Sequence, residues 1–276
     1  MPASIITMYP FEIQRSQKES VENNELYSTT KRAHVSHLLS EYLINGGIFD
    51  SYKFGPEFLR TLWRSVVDRD IIIRYRVRYP STLEQLALLL LNSFGTKIST
   101  AKLTRQYNIK SQHTVKDYIH YLENVFLLFS VNKFSYKLKE QQTSFKKMYI
   151  SDNGFIQALG FSFSENNGRL LENAVASELK RRCQLTNSVL YYWDDYHFEC
   201  DFVVKKGKKI NALYQVCSEL KPENRDREVK GLIAAMKVFK INSGRIITMS
   251  QEDSIKEDRY KIDVIPAWRW FLETHE

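Results

Sequence analysis

The stretch VLYYWDDYHFECDFVVKKGKKINALYQVC, residues 189–217, carries β-branched and aromatic runs at Val189–Trp193, Glu199–Val204 and Ile210–Cys217. Runs of that length and composition, separated by polar turns, read as successive strands. The KKGKK segment at 205–209 has Gly207 at its tip, so it is expected to be the turn of a hairpin. Outward from this stretch, a helix is expected at Arg169–Arg182, a second at Arg225–Phe239 and a strand at Arg245–Met249. The resulting order, α-β-β-β-α-β, predicts an α/β domain over 156–276 built on a mixed central sheet. A strand at Lys261–Ile265 and a short helix from Ala267 complete it.

The preceding part reads as helical. Residues 1–33 hold a short strand marked by Ile5, Ile6, Met8 and Tyr9, then a polar linker from Gln14 to Lys31. From 34 to 155, Val35, Leu38, Leu39, Tyr42 and Leu43 recur at helical spacing and stop at Gly46 and Gly47, where glycine favours a helix end. A second helix is expected from Pro56, its face made by Phe58, Leu59, Leu62, Trp63, Val66 and Val67, before the charged, β-branched segment Asp70–Val77. Ser81 and Glu84 have capping-box spacing, and Leu83, Leu86, Ala87, Leu90 and Leu91 carry the helix that follows. Helices at Ser99–Tyr107 and from Ser111, the latter burying Val115, Tyr118, Leu122 and Val125, complete a winged helix-turn-helix order. Its wing would be the strand Phe126–Val131, the lysine-bearing segment Lys133–Lys147 and the strand Met148–Ile150.

Composition narrows the function classes. A chain of 276 residues with 43% hydrophobic side chains has enough material for two cored domains. No apolar run approaches the ~18 residues that cross a bilayer, and MPASIITMYPFE lacks the pattern of a secretory signal. Cys183, Cys200 and Cys217 form no CxxC pair, which fits a reducing compartment, so a cytoplasmic location is expected. The net charge of +8 favours polyanionic partners. The chain contains no GxxxxGK[ST] loop, HExxH or GxSxG motif and no dinucleotide fingerprint, so no ATP site is expected. The histidines are scattered apart from His34 and His37, and none is assigned a metal.

The runs YLINGG, DRDIIIRYRV, TVKDYIHYLENVFLLF, KKMYISDNG, GRLLENAVASELKRR, YYWDDYHFECDFVV, LYQVCSEL and VIPAWRW occur in that order. They resemble the C-terminal region of AAA+ ATPases of the DUF4143 family, from about Tyr9 to the end of the chain. In that family an ATPase module precedes this region, and IITMYPFE looks like its last residues. The resemblance implies a winged helix followed by a restriction-endonuclease-like domain of the PD-(D/E)XK type, with a separate ATPase subunit as a partner. It also implies a Mg²⁺ site in which Glu172 is the helix acid, Asp201 the strand aspartate, and Gln215 and Cys217 occupy the (D/E)XK positions. A hard dication wants several oxygen ligands, and the lysine would stabilise developing negative charge. Gln215 offers only a neutral amide oxygen, and Cys217, with an ordinary thiol pKa of about 8.5, stands where the lysine belongs. Strand alternation would turn Glu199 and Asp201 to one face, and Gln215 and Cys217 likewise. Lys205, Lys221 and Arg225 are cations that could replace the lysine, with no spacing reason to choose among them.

For nucleic acid, the start of the second helix-turn-helix helix offers Gln112, His113 and Lys116, residue types that read bases or touch phosphates. The wing offers Lys133, Lys137, Lys139, Lys146 and Lys147, although a solvated surface or protein interface explains the same lysines. Tyr191, Tyr192, Trp193 and Tyr196 resemble a stacking platform, but strand aromatics more often fill a core. The resulting expectation is a nucleic-acid-associated accessory or targeting module with a degenerate nuclease-like site, bound to DNA and not to membrane. Its rivals are a Mg²⁺-dependent DNA nuclease using Glu172, Asp201 and Gln215, and a protein-interaction scaffold.

Overall fold

A computed structural model describes residues 29–109, 111–160 and 167–273, so the strand expected at Ile5–Tyr9 and nearly all of the expected linker lie outside the described residues. The chain divides into two compact units. Of the described residues, the first contains 42–131 and 145–160, and the second contains 29–41, 132–144 and 167–273.

Helix α1 (Thr29–Asn45), of which only 42–45 belong to the first unit, ends at Gly46, whose φ of +78° is the left-handed conformation that glycine adopts without steric cost. Helices α2 (Phe49–Phe54) and α3 (Pro56–Ser65) follow. The expected second helix changes its winding at its end: Val66–Ile73, which includes the start of the charged, β-branched segment, forms a π-helix and buries Val66, Val67 and Ile71. Helix α4 (Pro80–Asn92) buries Leu83, Leu86, Ala87, Leu90 and Leu91 as expected. The Ser81–Glu84 capping box does not form there. Pro80 takes the first helical position, so the cap residue is Tyr79 and Ser81 lies inside the helix.

Strand β1 (Lys97–Ile98) leads to α5 (Thr100–Gln106) and α6 (Gln112–Asn124), with Ser99 and Ser111 accepting capping hydrogen bonds from the backbone N–H groups of Lys102 and His113. Strand β2 (Leu128–Lys133) starts beyond Phe126, whose φ of +59° makes it a turn residue. The expected wing is not a plain hairpin, because the short helix α7 (Leu138–Thr143) interrupts it before β3 (Lys146–Ile150). Residues 132–144 of that segment group with the second unit. Within the first unit the strand order is β1-β3-β2, with β1 antiparallel to β3.

Helix α8 (Asn153–Leu159) ties YLINGG to the SDNG turn. Buried Asp152 accepts from Gly47 N–H at 2.7 Å and Gly154 N–H at 2.8 Å, and Asn153 donates to Leu43 O at 2.8 Å. A Cβ on Gly46 would lie 1.8 Å from Asp152 Oδ1, and one on Gly154 would lie 2.5 Å from Asn45 O, so the close approach requires glycine at both places. Burial pushes the Asp152 carboxyl up to about 6, against the backbone N–H donors that favour its ionised form.

The second unit realises the α-β-β-β-α-β order with α9 (Asn167–Leu185), β4 (Ser188–Asp194), β5 (Glu199–Lys206), β6 (Lys209–Val216), α10 (Pro222–Phe239) and β7 (Ser243–Thr248). Strands β8 (Asp253–Glu257) and β9 (Tyr260–Pro266) and helix α11 (Ala267–Leu272) complete it. The sheet is mixed: β4-β5-β6 are antiparallel, β6-β7-β9 parallel, and β8 closes the edge antiparallel to β9. Asn132 and Lys133, the end of β2, pair in parallel with Tyr191 and Tyr192. Leu213 joins Leu232 and Met236 of α10 in one apolar cluster, while its neighbour Tyr214 meets Trp270 edge-on. Adjacent strand residues face opposite sides, so α10 and α11 cover different faces of this sheet. The KKGKK hairpin is present, with Lys206 paired to Lys209 and Gly207 at φ +59°.

Candidate functional site

The strand-turn logic of β5 and β6 gathers a buried polar network. From Trp193 to Tyr191 the β4 ladder advances two residues while β5 advances three, from Cys200 to Val203. This bulge falls at Asp201 and Phe202, so simple alternation from Glu199 to Asp201 does not carry across it. Asp201 N–H donates to Gln215 Oε1 at 3.2 Å, and Asp201 Oδ2 accepts from Val216 N–H at 3.0 Å. Gln215 Nε2 then donates to Glu228 Oε2 on α10 at 2.7 Å. Glu228 is only 2% exposed and is paired through Oε1 with the guanidinium of the exposed Arg227.

Cys217 stands beside this network. Burial, then the charges of Glu228 and Asp201, push its thiol up to about 12, so it is neutral at ordinary pH. Arg227 interacts with the charge of Asp201. The cations suggested by sequence are placed differently: Lys221 pairs with Glu219, Arg225 is exposed beside Asp226, and Lys205 lines a groove on the same unit. Arg227 and Glu228 were missed by sequence reading. The charged run ENRDREVK at 223–230 disguised Glu228 as solvent-facing, yet Glu228, Leu232 and Met236 at spacing four share one helix face.

Glu172 is half-buried on α9 and interacts with the charge of Arg169, whose own pKa is lowered by burial. A Cβ on Gly168 would meet Ser218 Oγ at 3.6 Å, so the start of α9 comes close to the end of β6. Among the described residues, no group of three or more His, Cys, Asp or Glu side chains is arranged to hold a metal ion. The Gln215 oxygen faces a backbone N–H, both Glu228 oxygens meet protein donors, and Cys217 is neutral. Gln215, Glu228 and Cys217 therefore offer a hard dication no open anionic oxygen, and Asp201 and Glu172 are the carboxylates that would hold one.

Gln112, His113 and Lys116 are exposed at the start of α6, with His113 Nδ1 held 2.8 Å from Asp117 Oδ2. The wing lysines separate. Lys137, Lys139 and Lys146 are exposed, but Lys147 is only 4% exposed and is not a surface contact. Lys133, with 12% of its side chain exposed, pairs with Asp194 at 2.5 Å and lies over the Tyr196 ring at 5.4 Å. Tyr192 and Trp193 are buried, as expected of core residues, whereas Tyr191 is half-buried and Tyr196 is 97% exposed.

The fold is thus a mixed α/β one, with an N-terminal helical part and a mixed sheet that holds a buried carboxylate–amide network. Residues 36–166 match the family model described as Domain of unknown function (DUF8612), and residues 167–270 match Domain of unknown function (DUF4143). The second match agrees with the resemblance carried by GRLLENAVASELKRR and YYWDDYHFECDFVV. The chain is 32% identical over 261 residues to "Uncharacterized protein MJ1544" of Methanocaldococcus jannaschii, covering 89% of this chain and 58% of that protein. It is 31% identical over 251 residues to an "Uncharacterized protein" of Haemophilus influenzae, covering 87% of this chain and 59% of that protein. The chain therefore spans less than two thirds of the length of either relative. No solved structure matches.

Proposed function

We propose that this chain is a nucleic-acid-associated accessory module, a winged helix joined to a nuclease-like domain whose site no longer cleaves. The helix–strand–helix–helix–strand–strand order of the first unit, with β3 between β1 and β2, supports the winged-helix reading. The α-β-β-β-α-β order of the second unit supports the restriction-endonuclease-like one. The observation that carries the loss of catalysis is Cys217, a protonated thiol at the position where phosphodiester cleavage needs a cation. A separate ATPase subunit is the partner this reading assigns.

Arg227 favours the rival reading of a Mg²⁺-dependent nuclease, since it brings a cation to Asp201 and Cys217 from a neighbouring helix. The test incubates the purified chain with single-stranded, duplex and branched DNA plus Mg²⁺ or Mn²⁺, beside folded Asp201→Ala and Arg227→Ala variants. Salt-sensitive binding without cleavage is expected. Metal-dependent cleavage lost in both variants would establish the nuclease, and the absence of both binding and cleavage would leave a protein-interaction scaffold.

A further inference from the structure

A groove of about 740 Å³ on the second unit is lined by residues that the buried network does not use. Phe134 lies at its base, almost fully buried, with Tyr136, Tyr191 and Phe239 edge-on to it at 5.1, 5.4 and 5.0 Å. Tyr136 rests on Phe134 at one edge and is 79% exposed. Lys205, Lys208 and Lys209 reach the groove from the hairpin, and Lys240 reaches it from the left-handed end of α10. Among the described residues no acidic side chain lines it.

Cations along the walls repel a cationic guest and attract phosphate, while an exposed ring offers a stacking face to any base. The lysines come from separate elements, which suits a chain of phosphates better than a single one. A duplex keeps its bases stacked on one another and cannot offer one to Tyr136. We propose that this groove binds single-stranded nucleic acid, with a base on Tyr136 and phosphates on Lys205, Lys208, Lys209 and Lys240. This inference rests on the nucleic-acid reading above and gives it a substrate class and a place.

The test is fluorescence anisotropy of the full chain with labelled oligothymidylate and with a labelled duplex, using thymidine monophosphate as competitor. The variants are Lys208→Glu/Lys209→Glu, Tyr136→Ala and a charge-matched control, Lys53→Glu/Lys256→Glu; all these positions are exposed, and thermal melts confirm folding. Oligothymidylate is expected to bind more tightly than duplex, and its affinity should fall about tenfold or more in the hairpin double variant but only a few-fold in the control. Tyr136→Ala should cost about fivefold or more, the loss of one stacked base. Oligothymidylate binding unchanged in both groove variants would overturn this groove and leave the nucleic-acid reading standing. No binding of either DNA would overturn both, and competition by the monophosphate at equal concentration would overturn a strand site in favour of a nucleotide pocket.

Discussion

Replacing Gln215 with glutamate changes one buried NH₂ into an oxygen, 2.7 Å from Glu228 Oε2. Two carboxylates that close in the interior cannot both ionise, so the pair must hold one proton. Glu228 already accepts from the Arg227 guanidinium, so the proton is placed on the incoming residue, which donates its O–H where the amide donated N–H. The hydrogen bond survives, and the cost is that of protonating a carboxyl whose unfolded pKa is about 4.3. At pH 7 that is roughly 2.7 units, or about 4 kcal/mol, and at pH 5 about 1 kcal/mol. Urea unfolding of wild type and Gln215→Glu at these two pH values measures the difference, with Gln215→Glu/Glu228→Gln as the control that restores one acid and one amide and should recover much of the loss. A Gln215→Glu variant as stable as wild type at pH 7, or equally destabilised at both pH values, would refute the buried amide–carboxylate contact. Recovery of its stability by added Mg²⁺ would show instead that the pair can hold a metal.

The cysteines and Asp152 yield two further tests. Cys183, Cys200 and Cys217 are all buried, with the Cys183 and Cys217 thiols pushed to about 11 and about 12, so the native protein should react only slowly with a thiol reagent at pH 8 and expose all three cysteines on unfolding; fast labelling of Cys217 would remove the argument from a neutral thiol. Asp152, raised from 3.8 to about 6 on folding, contributes stability that is fully present below about pH 4 and lost as the pH rises through about 6. The loss over that window is about 3 kcal/mol, and Asp152→Asn should abolish this part of the pH slope in unfolding measurements; identical slopes would show that the carboxyl titrates normally.

Periodicity made the helices of the first unit legible, because Leu83, Leu86, Ala87, Leu90 and Leu91 declare their buried face whatever the rest of the chain does. The hairpin at 205–209 was equally open, since its turn needs only Gly207 and polar neighbours. The π-helix was hidden because its wider winding alters the hydrogen-bond step without altering composition. Strand β8 was hidden because DSIKE is an edge strand that buries only Ile255. In the site, Asp201 and Gln215 were found from the family pattern, but their partners sit on α10, and no local motif links a strand amide to a helix acid that follows it by thirteen residues. The groove around Phe134 was concealed for the same reason: Tyr136, Lys208 and Lys240 are far apart in sequence and meet only through packing.

On the proposed nuclease-like reading, the residues at 215 and 217 depart from the pattern in a way that balances. Glutamate and lysine at 215 and 217 would bring one negative and one positive charge; glutamine and cysteine bring neither, and the sum is unchanged. Glu228 and Arg227 add an opposite pair from α10, with the carboxylate buried and the guanidinium largely in solvent. Gln215 accepts from the Asp201 N–H through its Oε1 and donates to the Glu228 carboxylate through its Nε2. A site that had simply decayed would leave buried polar atoms unmatched, each costing about 1–3 kcal/mol. Among the described residues, the buried side-chain atom without a hydrogen bond is Trp270 Nε1, outside this network. Gln215 and Glu228 are therefore complementary as they stand, so on the proposed reading the former metal site would now serve as structural support for the sheet.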